Sequence, residues 1–393
     1  MSMKPVTIAV AAIVLILQWP MLNYERADAK LSEFYSQVAG AKFGDARESI
    51  DEAIRLWPSN ARYYTWRAYG TSQSLPSQCP RRSKSAESAL SASDQQATQE
   101  AVADYRHALE LNSRDAVAHH NLGWLEHLLG DDSAAAKDWQ QSTEIDPENA
   151  VFHLSYGMFL QESGNAEGGT AQYEMAIELS PSILDSPFFT RYRIRFPEAA
   201  DSVVAHCIAR IESRLQQGSD PILEARLGKL YLYSGNLQQS TQSLEAAALQ
   251  LPNLPLVWLN LGEVHRMQGD SDQAVICYKR ASTIDASLAQ PYLRMGEISL
   301  RNGQKSDAVR DLTRAVQKWQ HVNPITAAHN NRLYVGPRQT IDDLLPTTLV
   351  WYVTPCAASG AWRGLSELYP QRLEYAKRTA TCDELPAPHA GLE

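Results

Sequence analysis

PLVWLNLGEVHRMQGDSDQAVICYKRASTIDASL, residues 255–288, spans 34 positions, and its landmarks recur 34 residues away on both sides. The pairs Leu227-Gly228, Leu261-Gly262 and Met295-Gly296 keep that spacing, as do Gly235, Gly269 and Gly303. Three ungapped copies follow, Pro221–Leu254, Pro255–Leu288 and Ala289–Val322. The same frame fits Ala116–Asn149 and Ala150–Ile183, with Leu122-Gly123, Tyr156-Gly157, Gly130, Gly164, Pro147 and Pro181 in register. Two copies are less regular. Ala27–Asn60 keeps Ala46, Ala53 and Pro58. Ala61–Asp115 exceeds the period by 21 residues (55 minus 34), and the excess falls in a Ser-rich loop at 72–96.

The spacing has a physical reading as two antiparallel helices per copy. Small residues at position 20 (Ala46, Ala101, Ala135, Gly169, Ser240, Ala274, Ala308) and position 27 (Ala53, Ala108, Ser142, Ala176, Ala247, Ala281, Ala315) let backbones approach, with the glycines at position 8. Large residues at positions 4, 7 and 24 fill the gaps, as Trp258, Leu261 and Tyr278 do in one copy. Glycine at position 15 suits a left-handed turn after the first helix. Proline at position 32 ends the second helix. One copy cannot bury its apolar face, so neighbours must stack.

Over nearly all of residues 27–322 this pattern resembles the tetratricopeptide repeat family. The resemblance implies an all-α, right-handed α-solenoid whose first helices line a concave, partner-binding groove. Residues 27–183 form a first block, 184–220 a degenerate repeat or connector, 221–322 a second block, and 323–393 capping helices and a tail. The groove positions include His120, Trp124, His127, Met158, Lys229, Tyr233, Asn260, Arg266 and Arg294. Some family members clamp a terminal carboxylate. Asn260 and Arg294 match two of those places, while Ala225, Lys229 and Gln290 break the rest.

HHNLGWLEHLLGD, residues 119–131, has the content of a metal cluster, but the frame splits it. His119 falls at position 4, against a neighbouring helix. His120, Trp124 and His127 share one face at i, i+4, i+7. His120 and His127 lie about 10 Å apart along the axis, too far for one ion that needs each nitrogen near ~2 Å.

Between the blocks, FFTRYRIRF (188–196) alternates Arg191, Arg193 and Arg195 with apolar residues. If extended, it presents an arginine face to an anionic ligand; the other reading is a connector with its aromatics tucked beneath. Glu198–Gln217 reads as one helix, with a first helix mostly lost before it.

Val6–Leu22 is an uncharged apolar run of 17 residues, at the short end for a bilayer span. Trp19 and Tyr24 flank its far end as interfacial aromatics do. The alternative is a cleaved signal peptide with Ala27-Asp28-Ala29 as its site, which Glu25, Arg26 and Asp28 crowd with charge. The expectation is a single transmembrane helix at 6–22. Arg26 and Lys30 against Lys4 favour a cytoplasmic body, whereas the short N-terminal tail favours export; export is the reading adopted, with the body extracytoplasmic. Cys356 and Cys382 then form a candidate disulfide, while Cys207 and Cys277 read as small buried hydrophobes.

The net charge of -9, with both signs interspersed, excludes a phosphate-neutralising nucleic-acid binder. No phosphate loop, HExxH or GxSxG motif is present, so no catalytic, cofactor or metal residue is assigned. The expected function is a non-enzymatic membrane scaffold that binds protein partners of a membrane or envelope complex. The alternative is an accessory factor for envelope polysaccharide synthesis or export that binds carbohydrate or lipid head groups.

Overall fold

The computed structural model describes residues 5–39, 42–74, 91–185, 187–320 and Leu368; at 5–20, 39, 73–74, 182, 187–188, 190–191 and 319–320 only the backbone is described. The described residues are helical throughout, with no strand among them. They divide into two units, Met1–Glu148 and Asn149–Glu393.

The first unit holds three antiparallel hairpins. α1 (Pro5–Ala39) pairs with α2 (Phe43–Leu56), α3 (Ala61–Ser74) with α4 (Ala92–Leu111), and α5 (Ala116–Leu129) with α6 (Asp132–Ile145). α1 is continuous over 35 residues, so the apolar run and the first repeat helix are one element. Among the described residues no helix is long and apolar enough to cross a membrane. The side chains of Val6–Pro20 lie outside that set, and with them most of the expected anchor. The Ser-rich insertion is shorter than 72–96, because α3 runs to Ser74 and α4 starts at Ala92, capped by Ser91 accepting from Asp94 N. Its centre, 75–90 with Cys79, lies outside the described residues.

The second unit holds α7 (Ala150–Glu162) with α8 (Ala166–Leu179), and a 3-10 turn at Pro181–Asp185. Next come α9 (Pro187–Arg195) and α10 (Pro197–Leu215), then the pairs α11 (Pro221–Tyr233) with α12 (Leu237–Gln250), α13 (Pro255–Gln268) with α14 (Ser271–Ile284), and α15 (Gln290–Arg301) with α16 (Lys305–Gln320).

The repeat landmarks do what their chemistry requires. Gly130, Gly164, Gly235, Gly269 and Gly303 all adopt positive φ, 73 to 88°, where a Cβ is strained. Asp131, Asn165 and Asp270 then cap the second helices of their hairpins by accepting backbone N–H bonds. At position 8 the helices come so close that a Cβ on Gly228 would stand 2.5 Å from Leu244 Cγ, and one on Gly296 2.7 Å from Leu312 Cγ. Ser240, at a small-residue position, also satisfies its hydroxyl by donating to Gly228 O at 2.7 Å.

In 184–220 a first helix remains, shortened to the nine-residue α9, so of the two readings of 188–196 the connector with its aromatics tucked beneath fits and the extended one does not. Pro187 fits the first helical turn, and Phe189, Tyr192 and Phe196 recur at helical spacing. Phe189 and Tyr192 are buried, with Tyr192 4.2 Å from Tyr173 between ring centroids. The C-terminal expectations, including the Cys356–Cys382 disulfide, lie outside the described residues except for Leu368, which packs against the Leu312, Ala315 and Val316 cluster.

Candidate functional site

Two surfaces, one in each unit, gather the residues singled out in the sequence. In the first unit the three histidines of α5 go to three different neighbours. His119 Nδ1 lies 2.5 Å from Asp138 Oδ1, and its Nε2 lies 3.2 Å from Ser113 O. Burial opposes its protonation, but Asp138 and the Ser113 carbonyl outweigh that and hold its pKa above the ordinary value. His120 does not line an open groove: it is only 4% exposed, with Nδ1 3.3 Å from Asn121 Oδ1. Burial pulls its pKa down to about 4, so it is neutral at physiological pH. Its position in the frame faces the partner side, but a ring there sinks between packed first helices, as Leu154 and Leu259 do at the same position. His127 Nδ1 lies 2.8 Å from Asp132 Oδ1.

Trp124 is half-buried and meets Trp139 edge-on, with centroids 5.1 Å apart at 82°. That geometry suits the ring quadrupoles and leaves Trp124 as the large aromatic of this face in partial contact with solvent. Among the described residues no group of three His, Cys, Asp or Glu side chains is placed to hold one ion. Glu126, which the frame points away from the partner side, is buried and accepts from Arg106 Nη2 at 2.8 Å.

In the second unit the first-helix face is made by α11, α13 and α15. Several of its charges pair with one another or with a neighbouring carboxylate. Lys229 Nζ donates to Asp185 Oδ2 at 2.7 Å. Glu263 accepts from Arg266 Nη2 at 2.7 Å, from Arg294 Nε at 2.7 Å and from Tyr278 Oη at 2.9 Å. Arg294 also donates to Glu297 at 2.9 Å. Burial pushes the Glu263 carboxyl up, yet Arg294, Arg266 and Tyr278 together hold it below the ordinary value. The arginine and asparagine that match a carboxylate clamp are therefore not equivalent: Arg294 is held by Glu263 and Glu297. The repeat frame placed Arg266 and Arg294 on this face but did not show their convergence on Glu263. The signal was present. Residues 263 and 294 stand 31 apart, three short of the period, so they meet across adjacent repeats as i and i+3 neighbours meet along one helix.

The same three helices carry half-buried Tyr233, Asn260 and Leu293 and the 49% exposed Met267. Met158 of α7 sits elsewhere in the unit, packed against the core beneath α10.

On helical α9 the three arginines do not alternate along one edge: Arg193 stands two residues, about 200°, from Arg195, while positions 191 and 195, four residues apart, fall on one helix face. Arg193 Nη1 donates to Tyr233 Oη at 3.2 Å and lies over that ring, while Arg195 lies over Phe196. The Arg191 side chain lies outside the described set. Cys207 and Cys277 are buried free thiols, which burial pushes up to about 12 and about 11, so neither is a thiolate at neutral pH.

Residues 87–150 and 226–289 match the model of the tetratricopeptide repeat family, so the chain carries tetratricopeptide repeats. No curated protein matches the sequence. Among solved structures, a tetratricopeptide repeat protein from Parabacteroides merdae aligns at 16% identity over 83% of this chain and 99% of its own, with a TM-score of 0.36. YrrB, described as a TPR protein with an unusual peptide-binding site, aligns at 16% identity over 62% of this chain and 96% of its own, with a TM-score of 0.28.

Proposed function

We propose that this tetratricopeptide-repeat chain is a protein-interaction scaffold that holds an internal segment of a partner polypeptide on the face of α11, α13 and α15. The observation that carries the reading is the Glu263 network. Its arginines are already paired, so neither Arg266 nor Arg294 is free to take a terminal carboxylate. The rest of the face is amphipathic, with exposed Met267 and half-buried Tyr233, Asn260 and Leu293 on the same helices. Such a face suits an amphipathic helix or an extended segment, and thioether side chains adapt to either. Trp124 supplies an aromatic anchor of hot-spot type on the first unit.

Val6–Leu22 anchors the chain in a membrane on this reading, with the repeats extracytoplasmic and serving a membrane or envelope complex. The length and lack of charge of that run support it. The test is alkaline extraction and protease protection of membranes that contain the full chain. Retention in the pellet, with repeats cut only from the extracytoplasmic side, is expected. Release by alkali refutes the anchor. For the partner, cross-linked complexes are recovered from the wild type and from Met267→Asp; loss of one adduct in the variant is expected, and an unchanged set refutes the assignment of this face.

A further inference from the structure

The hairpin of α5 and α6 contains a row of titratable side chains that partner binding does not use. Arg106 of α4 donates to Glu126 Oε1 at 2.8 Å. The second carboxylate oxygen, Glu126 Oε2, is buried and receives no hydrogen bond. The Asp138 carboxyl of α6 is within hydrogen-bonding reach of Glu126, and Asp138 is itself held by His119 Nδ1 at 2.5 Å. Two carboxylates side by side, one of them buried, repel each other and leave no donor between them unless one keeps a proton.

We propose that Glu126 keeps a proton and donates it to Asp138, and that this shared proton fastens α5 to α6. The full row then runs Arg106, Glu126–H, Asp138, His119 and the Ser113 carbonyl, with every polar group satisfied. Burial raises the Glu126 carboxyl to about 7, with Asp138 adding to the rise and Arg106 opposing it. The other charged groups near the hairpin are engaged elsewhere or turned away. Asp115 caps α5 through Ala118 N, His127 pairs with Asp132, and Lys137 is exposed. His120 behind the row is buried and neutral. Trp139, next to Asp138, carries the edge of Trp124, so the fastened joint lies behind the aromatic of the first-unit surface.

The direction follows from linkage. Glu126 binds its proton more tightly in the closed hairpin than in an opened one, so closure is favoured most at low pH. That advantage shrinks as pH rises from the ordinary value of 4.5 to about 7 and is level beyond. His119, also raised, weakens closure only above 6.5, so below that pH the fall belongs to Glu126 alone. The test is hydrogen exchange of the α5 and α6 amides in the full chain from pH 5 to 8, corrected for chemical exchange and set against α13 and α14. Glu126→Gln keeps a donor that cannot ionise. The ratio of wild-type to Glu126→Gln protection should fall about tenfold per pH unit between pH 5 and 7 and then level off. A ratio constant with pH overturns the proposal. Should Glu126→Gln not fold, the carboxyl titration of the wild type decides. A glutamate carboxyl resonance titrating near pH 7, absent from Glu126→Gln, is the direct signature, and its absence from the wild type overturns the assignment.

Discussion

Arg294 on α15 donates to Glu263 on α13 at 2.7 Å, joining consecutive repeats across the face proposed for the partner. Glu263 also holds Arg266 and Tyr278, so one carboxylate closes a network of three donors. Removing it leaves two guanidinium groups close together and half-buried without their common partner.

Glu263→Ala is therefore expected to destabilise the second unit by about 2–3 kcal/mol, the cost of unpairing part-buried charged hydrogen bonds. Denaturant unfolding followed by a probe in α13–α15 checks this, and a change below about 0.5 kcal/mol is the level expected of an ordinary surface position. Glu263→Ala also uncovers Arg266 and Arg294, so binding of a peptide with a free C-terminal carboxylate should increase, read by titration calorimetry.

The same carboxyl sets an acid limit. Its pKa is held below 4.5, so the native state binds fewer protons there than the unfolded chain. Its contribution is present above pH 4.5 and lost as pH falls through the lower folded value. Thermal midpoints of wild type and Glu263→Gln should differ by a constant amount above pH 4.5 and converge as pH falls below it.

His120 adds a second acid limit in the first unit. Burial lowers its pKa from 6.5 to about 4. The cost of keeping it neutral is absent above 6.5 and grows as pH falls toward about 4, reaching about 3 kcal/mol. His120→Leu should remove this dependence, giving a first unit whose stability relative to wild type rises from pH 6.5 to 4. A constant difference between the two proteins contradicts the burial-driven shift.

Glycines at two repeat positions should fail for different reasons. Gly228→Ala drives a Cβ to 2.5 Å from Leu244 Cγ and 3.2 Å from its backbone N, costing about 1–3 kcal/mol by overpacking. Gly235→Ala has open space around it but sits at φ 77°, costing about 1 kcal/mol of backbone strain. Trimming Leu244 to Ala should recover part of the first loss and none of the second, as double-mutant unfolding measurements would read out.

Much of this fold was legible because its determinants are periodic. Gly130, Gly164, Gly235, Gly269 and Gly303 were placed in turns by spacing alone, and each takes positive φ. The pairing of position 8 with position 24, as in Gly228 with Leu244, followed from size. What failed to show was aperiodic. Residues 188–196 fit both an alternating and a helical pattern, and the proline at 187 with the core contact of Tyr192 decides for helix. His120 occupied a partner-facing position in the frame, yet the depth of that position depends on the neighbouring helices. The convergence of Arg266 and Arg294 on Glu263 needed a register between repeats rather than a motif within one.

The central claim is that a partner lies on the first helices of the repeats. A photo-reactive amino acid placed at Met267, 49% exposed on α13, tests it against one at Leu249, 85% exposed on α12. In native membranes the account predicts a discrete protein adduct from position 267 and none from position 249. An adduct from position 249 alone, or from neither position, contradicts it.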